Sequence, residues 1–288
     1  MTRPAEFTFQ HRLRVRWVEV DAQQVVFNGH YLTYLDTAIS DYWRVVGMPY
    51  PDAFHFVRGD VFVRRNALEY HAPARLDDWL DIGIRCERIG TSSITMMWAM
   101  WAQGRLLVTG ETIYVFTHLD TGKPTPVPES VRMQLHGHAQ GLPGYAVRCG
   151  AWPDLADGAQ AVRLAVFVHE QQIPETEEWD TDDALAVHAL VTNLAGLPLA
   201  TGRLITQGQP QGHAKIGRMA VLRSSRGIGL GDKVLLALIA HARLKGVEHI
   251  GLHAQVSARA FYARHGFQPE GDEFDEVEIP HQLMTLTL

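Results

Sequence analysis

The chain has 288 residues, 46% of them hydrophobic and 20% charged, which is enough apolar chain for two domain cores. A formal net charge of −6, with no basic run, argues against a nucleic-acid-binding surface. The two cysteines are far apart and near no histidine pair, and no apolar run reaches membrane-spanning length. We therefore expect neither a disulfide framework nor a metal site, and a cytoplasmic protein.

The first half of the chain predicts a long helix followed by a meander of strands. Residues 11–27 indicate a strand and a turn, with Val15, Trp17 and Val20 as apolar strand residues. Residues 30–46 form one predicted helix that is apolar nearly all round, so other elements must wrap it. The next segment, to Leu119, supplies four or five strands separated by polar turns. This order predicts an α+β domain over residues 1–134.

The second half has a different pattern. Residues 120–130 are proline-rich and residues 135–145 are rich in glycine, so we place the linker at 135–145. From residue 146 onward, strands and amphipathic helices alternate. Predicted helices cover 155–171, 229–246 and 257–266, and the last two strands lie near 269–274 and 282–288. The pattern predicts a mixed α/β domain over residues 146–288.

Asp21 is the one carboxylate in the turn that precedes the long helix. A carbonyl group placed at the helix start would meet free backbone N–H groups around Gly29, His30 and Tyr31, and the positive end of the helix dipole. One such donor to an oxyanion is worth ~3–4 kcal/mol in a transition state. An aspartate that only caps a turn would give the same spacing, so the residues alone leave both roles open.

The stretch VDAQQVVFNGHYLTYLDTA resembles the hotdog-fold acyl-CoA thioesterases of the 4-hydroxybenzoyl-CoA thioesterase and YbgC group. The resemblance spans roughly residues 9–130 and implies that Asp21 attacks a thioester carbonyl or activates water. It also implies a homodimer or homotetramer whose active site is completed across the dimer. The alternative is a hotdog domain that dimerises and senses acyl-CoA without catalysis, and so regulates the other half.

A glycine-rich turn in the second half indicates a phosphate site. The run RGIGLG, residues 226–231, lies between a strand and an amphipathic helix, where glycines expose successive N–H groups to an anion. The GxGxxG spacing of a dinucleotide-binding turn is absent. The segments VFVHEQQIPETEEWDTDD, IGRMAV, HAQVSARAFYARHGF and IPHQLM, together with this turn, resemble the ElaA-like branch of the GNAT acetyltransferases over residues 146–288.

This second resemblance implies roles for particular residues. Tyr262 would protonate the departing CoA thiolate. The pantetheine arm would pair with the backbone of Met219, Ala220 and Val221. The pyrophosphate of acetyl-CoA would be held by Arg226 and by the amides of Gly227, Gly229 and Gly231.

The acceptor amine must lose a proton before it reacts, which costs ~4–5 kcal/mol for a lysine-like amine at pH 7. We assign Glu170 to the catalytic set, and His188 and His281 remain open as other candidate bases. The whole chain is then predicted to be a bifunctional enzyme that hydrolyses acyl-CoA in one half and acetylates an amine in the other. Acyl-CoA and acetyl-CoA are its substrates, without a tightly bound cofactor. Transfer of longer acyl groups by the second half is a further alternative.

Overall fold

The computed structural model describes residues 4–288 as two compact units, one ending at Gly144 and the other beginning at Tyr145. The division falls inside the predicted linker. Residues 135–139 of that linker continue a helix of the first unit, in which Val131 and Leu135 are buried. None of the helices within residues 4–288 is long and apolar enough to span a membrane.

The first unit is a five-stranded antiparallel sheet with one long helix, as predicted. Its strands are β1 (Phe9–Arg14), β2 (Gly59–Tyr70), β3 (Trp79–Ile89), β4 (Ser93–Ala102) and β5 (Arg105–His118). Its helices are α1 (His30–Val45), α2 (Asp52–Phe56) and α3 (Glu129–Ala139). The sheet order is β1-β3-β4-β5-β2, which leaves β2 at one edge.

Helix α1 is the core of the first unit. Seven of its sixteen residues are buried, among them Tyr34, Tyr42 and Trp43, and the helix contacts β1 and β3. The sheet supplies the other half of this core through fully buried residues such as Ile82 on β3 and Trp98 on β4. A helix that is apolar over most of its surface is stable here because the sheet covers it. The predicted hotdog architecture is confirmed.

The predicted strand character of residues 15–20 is wrong. Strand β1 ends at Arg14, and Trp17–Glu19 form a turn of 3₁₀ helix. The burial is the reverse of what the apolar and polar residues predict there, since Trp17 is 81% exposed and Glu19 only 2%. The Glu19 carboxylate accepts hydrogen bonds from the Arg16 amide at 2.7 Å and from the Tyr34 hydroxyl at 2.7 Å. These bonds fold the backbone out of an extended strand.

The second unit is a seven-stranded mixed sheet with helices. Its strands are β6 (Tyr145–Ala151), β7 (Val187–Asn193), β8 (Pro198–Ile205), β9 (His213–Val221), β10 (His249–Gln255), β11 (Gln268–Glu276) and β12 (Ile279–Thr287). Its helices are α4 (Trp152–Arg163), α5 (Glu175–Glu178), α6 (Leu230–Leu244) and α7 (Arg259–Ala263). The predicted helix over 155–171 is α-helical only as far as Arg163, and Leu164–Glu170 continues it as a π-helical segment.

Strands β9 and β10 diverge along their length. They pair in parallel at only three positions, the last of which joins Lys215 to Gly251. On its other side, β9 stays paired with β8 as far as Val221, apart from a bulge next to Arg218, which has a φ of 52°. The half of β9 after Lys215 therefore turns one backbone edge toward an opening in the sheet. Such an edge can accept an extended ligand as an added strand.

Candidate active sites

Asp21 holds a tight turn and still has a free carboxylate oxygen. Its Oδ1 accepts a hydrogen bond from the Gln23 amide at 2.8 Å, and its own amide donates to the Val25 carbonyl at 2.9 Å. Its Oδ2 has no partner among the residues that the structure describes. The half-buried side chain lines a groove together with Trp17, Arg75 and other residues. The turn-capping role is thus occupied by one oxygen, which leaves the second available for chemistry.

The start of α1 has two unused backbone donors. The His30 amide already donates to the Phe27 carbonyl at 2.9 Å, and the Leu32 amide donates to the Gly29 carbonyl at 3.2 Å. Within residues 4–288, the amides of Gly29 and Tyr31 have no acceptor. A Cβ atom added to Gly29 would lie 2.9 Å from Cε1 of Phe27, so glycine is needed for this packing. Of the three predicted donors, Gly29 and Tyr31 are free in this conformation.

Two tyrosines connect the helix start to strand β2 and to the loop that follows it. The Tyr31 hydroxyl accepts a hydrogen bond from the Ala74 amide at 2.9 Å. Tyr70, the last residue of β2, donates its hydroxyl to the Asn28 carbonyl at 3.1 Å, and its ring packs edge-on against Tyr31. The end of the exposed strand β2 is therefore held next to the candidate oxyanion donors.

Glu19 is a buried carboxylate that the sequence patterns did not single out. Burial opposes its ionisation, but the hydrogen bonds from Arg16 and Tyr34 outweigh that effect and hold the pKa of Glu19 below its usual range. Its backbone carbonyl also accepts from the Phe27 amide at 3.0 Å, so Glu19 connects the turn before Asp21 to the segment that enters α1. An acidic residue between Val18 and Val20 was the available signal.

In the second unit, the glycine turn leads directly into α6. Gly227 and Gly229 have φ angles of 82° and 81°, in the left-handed region that favours glycine, and α6 begins at Leu230. The amides of residues 227–231 have no acceptor among the described residues. Gly231 lies in the first turn of α6, where a Cβ atom would contact the Phe261 ring at 3.4 Å. Consecutive free amides at a helix N-terminus form a site for a phosphate group.

Arg226 and Glu170 form a two-pronged ion pair beside this turn. The two terminal nitrogens of Arg226 contact the two carboxylate oxygens of Glu170, each at 2.7 Å, and Nε donates to the Val221 carbonyl at 3.1 Å. Hydrogen bonding from Arg226 lowers the pKa of Glu170. A carboxylate stabilised in its ionised form is a weaker base, so the ion pair disfavours Glu170 as a general base. The same ion pair holds Glu170 beside the glycine turn.

Tyr262 lines a cavity at the opening between β9 and β10, together with Met219. The side chain is 8% exposed, and burial raises the pKa of Tyr262 to about 12. The phenol therefore stays protonated at neutral pH, as a proton donor must. Of the other predicted pantetheine contacts, Ala220 is buried in a cluster with Val162, and Val221 is half-buried at the end of β9.

The two histidines proposed as bases lie in different surroundings. His188 is 1% exposed, contacts the Asp183 carbonyl through Nε2 at 2.9 Å and packs on Trp152. Burial lowers the pKa of His188, and the residue is not among those that line the cavity. His281 does line the cavity, and its Nδ1 lies 2.7 Å from the Ile279 carbonyl.

A buried charge network contributes Glu178 and Arg218 to the wall of the same cavity. Arg163 is 1% exposed, pairs with Glu178 and Asp183, and lies 4.8 Å from the Trp179 ring centroid. Arg218, at the β9 bulge, donates to the Glu178 carbonyl at 3.1 Å. The segment around α5 is thereby fixed against the strand that borders the opening.

Comparisons with known proteins agree with both halves of this description. The family model for the thioesterase superfamily matches residues 23–109, and the model for the acetyltransferase (GNAT) domain matches residues 160–288. The chain joins a thioesterase-superfamily domain to a GNAT domain. Both families act on CoA thioesters, so the chain is a CoA-thioester-related protein. Hydrolase and transferase activities are the ones that these families suggest.

Individual relatives match one half each. The uncharacterized protein YyaT of Bacillus subtilis is 36% identical over 130 residues, which is 44% of this chain and 85% of that protein. The uncharacterized N-acetyltransferase YjcF of the same organism is 35% identical over 124 residues, or 43% and 86% of the two chains. A thioesterase from Thermus thermophilus, solved in complex with coenzyme A and Zn, has 28% identity and a TM-score of 0.41, over 48% of this chain and 98% of that one.

Proposed function

We propose that the chain is a bifunctional CoA-thioester enzyme, with an acyl-CoA thioesterase in the first unit and an acetyl-CoA-dependent N-acetyltransferase in the second. One observation carries the proposal. Each unit has a helix start whose backbone amides have no acceptor within residues 4–288, at Gly29 and Tyr31 in one and at residues 227–231 in the other. The first follows Asp21 by eight residues in the chain, and the second directly follows Arg226.

In the thioesterase reaction, the thioester carbonyl oxygen would accept hydrogen bonds from the amides of Gly29 and Tyr31. These donors are fixed before the reaction starts, so they stabilise the negative charge that develops on the oxygen. The free Oδ2 of Asp21 then attacks the carbonyl carbon or removes a proton from an attacking water molecule. Glu19 supports this arrangement because it connects the Asp21 turn to the helix entry through the Phe27 amide.

In the transfer reaction, acetyl-CoA would bind along the free edge of β9, with its pantetheine arm paired to the backbone of Met219, Ala220 and Val221. Its pyrophosphate would lie on the amides of Gly227, Gly229 and Gly231, next to Arg226. The acceptor amine attacks the acetyl carbon, and Tyr262 gives its proton to the departing sulfur. The high pKa of Tyr262 supports this role, since the phenol is still protonated when the thiolate leaves.

We further propose that the first unit forms a homodimer or homotetramer through β2. This strand is at the sheet edge, and its apolar residues Phe62 and Val63 are each more than half exposed. An exposed edge strand with apolar residues favours pairing with a second copy. Because Tyr70 fixes the end of β2 to the helix start, a partner on this strand would lie close to the thioesterase site.

The competing function is a hotdog domain that binds acyl-CoA without hydrolysing it. The free Oδ2 of Asp21 favours catalysis, since a binding-only site has no need of it. The two functions separate in a thiol-release assay that follows purified protein with acyl-CoAs of graded chain length, with and without primary amines. Thiol release without amine supports the thioesterase, and additional release with amine supports the transferase. Saturable acyl-CoA binding with no release in either condition would support the sensor.

A further inference from the structure

His253 and Glu276 form a pair on the cavity that Tyr262 and Met219 also line. His253 is on β10, two residues beyond its last pair with β9, where the strands have separated. Glu276 ends β11. Nδ1 of His253 lies 3.1 Å from Oε2 of Glu276, and the two side chains are 34% and 46% exposed. The pair is therefore accessible from the same opening at which the thioester would lie.

The hydrogen bond sets the state of the imidazole ring. A carboxylate can only accept, so Nδ1 carries the hydrogen in this pair. Nε2 of neutral His253 then has a free lone pair, and it has no partner among residues 4–288. Imidazole is a common general base, and a carboxylate on its other nitrogen holds the ring in the tautomer that leaves Nε2 able to accept a proton. The Phe274 ring packs edge-on against His253 and limits its rotation.

We propose that His253, oriented by Glu276, is the general base that removes a proton from the acceptor amine in the GNAT domain. The inference rests on the proposed acetyl transfer, and it replaces Glu170 in that role. Glu170 is held by Arg226 at the phosphate turn, and His188 is enclosed by Trp152 and Asp183. Neither lines the cavity that holds Tyr262.

His281 is the closest competitor, because it lines the same cavity. Its Nδ1 donates to a neutral carbonyl, that of Ile279, whereas Nδ1 of His253 donates to a carboxylate. A hydrogen bond to a charged acceptor is stronger than one to a neutral carbonyl, so the His253 ring is oriented more firmly than that of His281. The ring of His281 also lies nearly parallel to the Phe274 ring at a centroid distance of 6.2 Å. We assign His281 to the wall of the acceptor site and the proton transfer to His253.

The reaction conserves protons and charge at each step. The acceptor enters as an ammonium ion and gives one proton to Nε2 of His253, which passes it to solvent through its exposed side. The free amine forms the N–C bond to the acetyl carbon, and the C–S bond then breaks. The sulfur takes the proton of Tyr262, and the proton lost by the new amide nitrogen restores the phenol. The products are the acetylated amine, CoA with a free thiol, and one proton in solution.

The test uses the full chain carrying Asp21→Asn, so that hydrolysis does not add to the thiol signal. Acetyl-CoA is supplied with 1,4-diaminobutane, phenethylamine or an Nα-blocked lysine, and the best of the three acceptors is kept. His253→Gln should lower kcat by about 10²-fold or more, with the KM for acetyl-CoA within a factor of two. His249→Gln, the same change on the same strand but outside this cavity, should leave kcat unchanged.

A second measurement distinguishes catalysis from folding. With His253→Gln, only amine that is already deprotonated in solution reacts, so the rate should rise about tenfold per pH unit below the pKa of the amine. Wild type should show a shallower rise. Glu276→Gln should reduce kcat by a smaller factor, and Glu276→Asp should recover part of the loss. If His253→Gln does not fold, Glu276→Gln and Glu276→Asp carry the test alone.

The outcomes separate the inference from the function beneath it. Wild-type transfer together with a His253→Gln kcat within threefold of wild type would overturn the assignment. A large kcat loss in His281→Gln but not in His253→Gln would overturn it as well and give the role to His281. If wild type transfers acetyl to none of the three amines, the proposed transferase fails and the assignment fails with it.

Discussion

The starts of α1 and α6 are alike in their free backbone amides, but the charged residues that precede them have opposite signs. Both present backbone amides without acceptors among the described residues. Gly29 before α1 has a right-handed φ of −66°, whereas Gly229 before α6 has a left-handed φ of 81°. The acidic Asp21 turn precedes the first helix, and Arg226 precedes the second. A helix start with free amides attracts an anion. We propose a reacting thioester oxygen at the helix start that follows Asp21 and a phosphate at the one that follows Arg226.

The buried charged residues around the two candidate sites also differ. Around the first, one buried carboxylate, Glu19, binds Tyr34 of the long helix and the exposed Arg16. Around the second, Arg163 is enclosed by two carboxylates and two tryptophan rings. A single buried acid fixes a short turn, while the larger network fixes an entire segment beside the cavity. The candidate site of the second unit therefore depends on more long-range contacts than the candidate site of the first unit does.

The largest expected effect concerns the Asp21 carboxylate. Asp21→Asn should lower amine-independent thiol release from acyl-CoA by about 10²–10⁴-fold, because the amide can neither attack nor accept a proton. Acetyl transfer by the GNAT domain should be unchanged. Asp120→Asn, the same change in an exposed loop, is the control. Unchanged hydrolysis in Asp21→Asn would remove the carboxylate from the mechanism.

The second prediction concerns the glycine turn. Gly229→Val should weaken CoA binding to the GNAT domain by about 10–100-fold, since it disturbs amides whose phosphate hydrogen bonds are worth about 1.5–3 kcal/mol each. Gly246→Val is a matched control, because Gly246 also has a positive φ, 70°, with open space around it, but follows the other end of α6. Calorimetry with CoA should show equal loss in the two variants if backbone strain alone is responsible.

A third prediction uses pH. The pKa of His188 is lowered by burial, so the unfolded chain takes up a proton there before the folded chain does. The folded unit should therefore lose stability as pH falls below about 6.5. The loss should be about 1.4 kcal/mol for each pH unit until the lower pKa of the folded state is reached. Urea unfolding of wild type at pH 7.5 and 5.5 should show this loss, and His188→Gln should show less of it. An identical pH dependence in the variant would exclude His188 as its source.

The smallest expected effect concerns the ion pair of Glu170. This ion pair with Arg226 is more than a third exposed on both sides, so its loss should cost well under about 1 kcal/mol. Glu170→Gln should raise the KM for acetyl-CoA a few-fold and leave kcat within twofold of wild type. Glu248→Gln provides an exposed control. A hundredfold fall in kcat at constant KM would instead restore Glu170 as the base.

Features that depend on local spacing could be predicted from the sequence. The periodicity of residues 30–46 gave helix α1, and the glycines at 227, 229 and 231 gave the turn before α6. Features whose conformation depends on a partner far away in the chain could not be predicted. Glu19 leaves the strand because of Tyr34, fifteen positions away, and Glu170 is bound to Arg226, fifty-six positions away. His253 meets Glu276 only through strands β10, β12 and β11 of one sheet, which no local pattern reveals.

The most direct test of the central claim compares two variants in one thiol-release assay. Wild type, Asp21→Asn and Gly229→Val are each given acyl-CoA alone and then acetyl-CoA, at a concentration below its KM, with the best amine acceptor. We expect Asp21→Asn to lose the first activity and keep the second, and Gly229→Val to do the reverse. Loss of both activities in either variant, or of neither in both, would contradict two separate CoA-thioester sites in this chain.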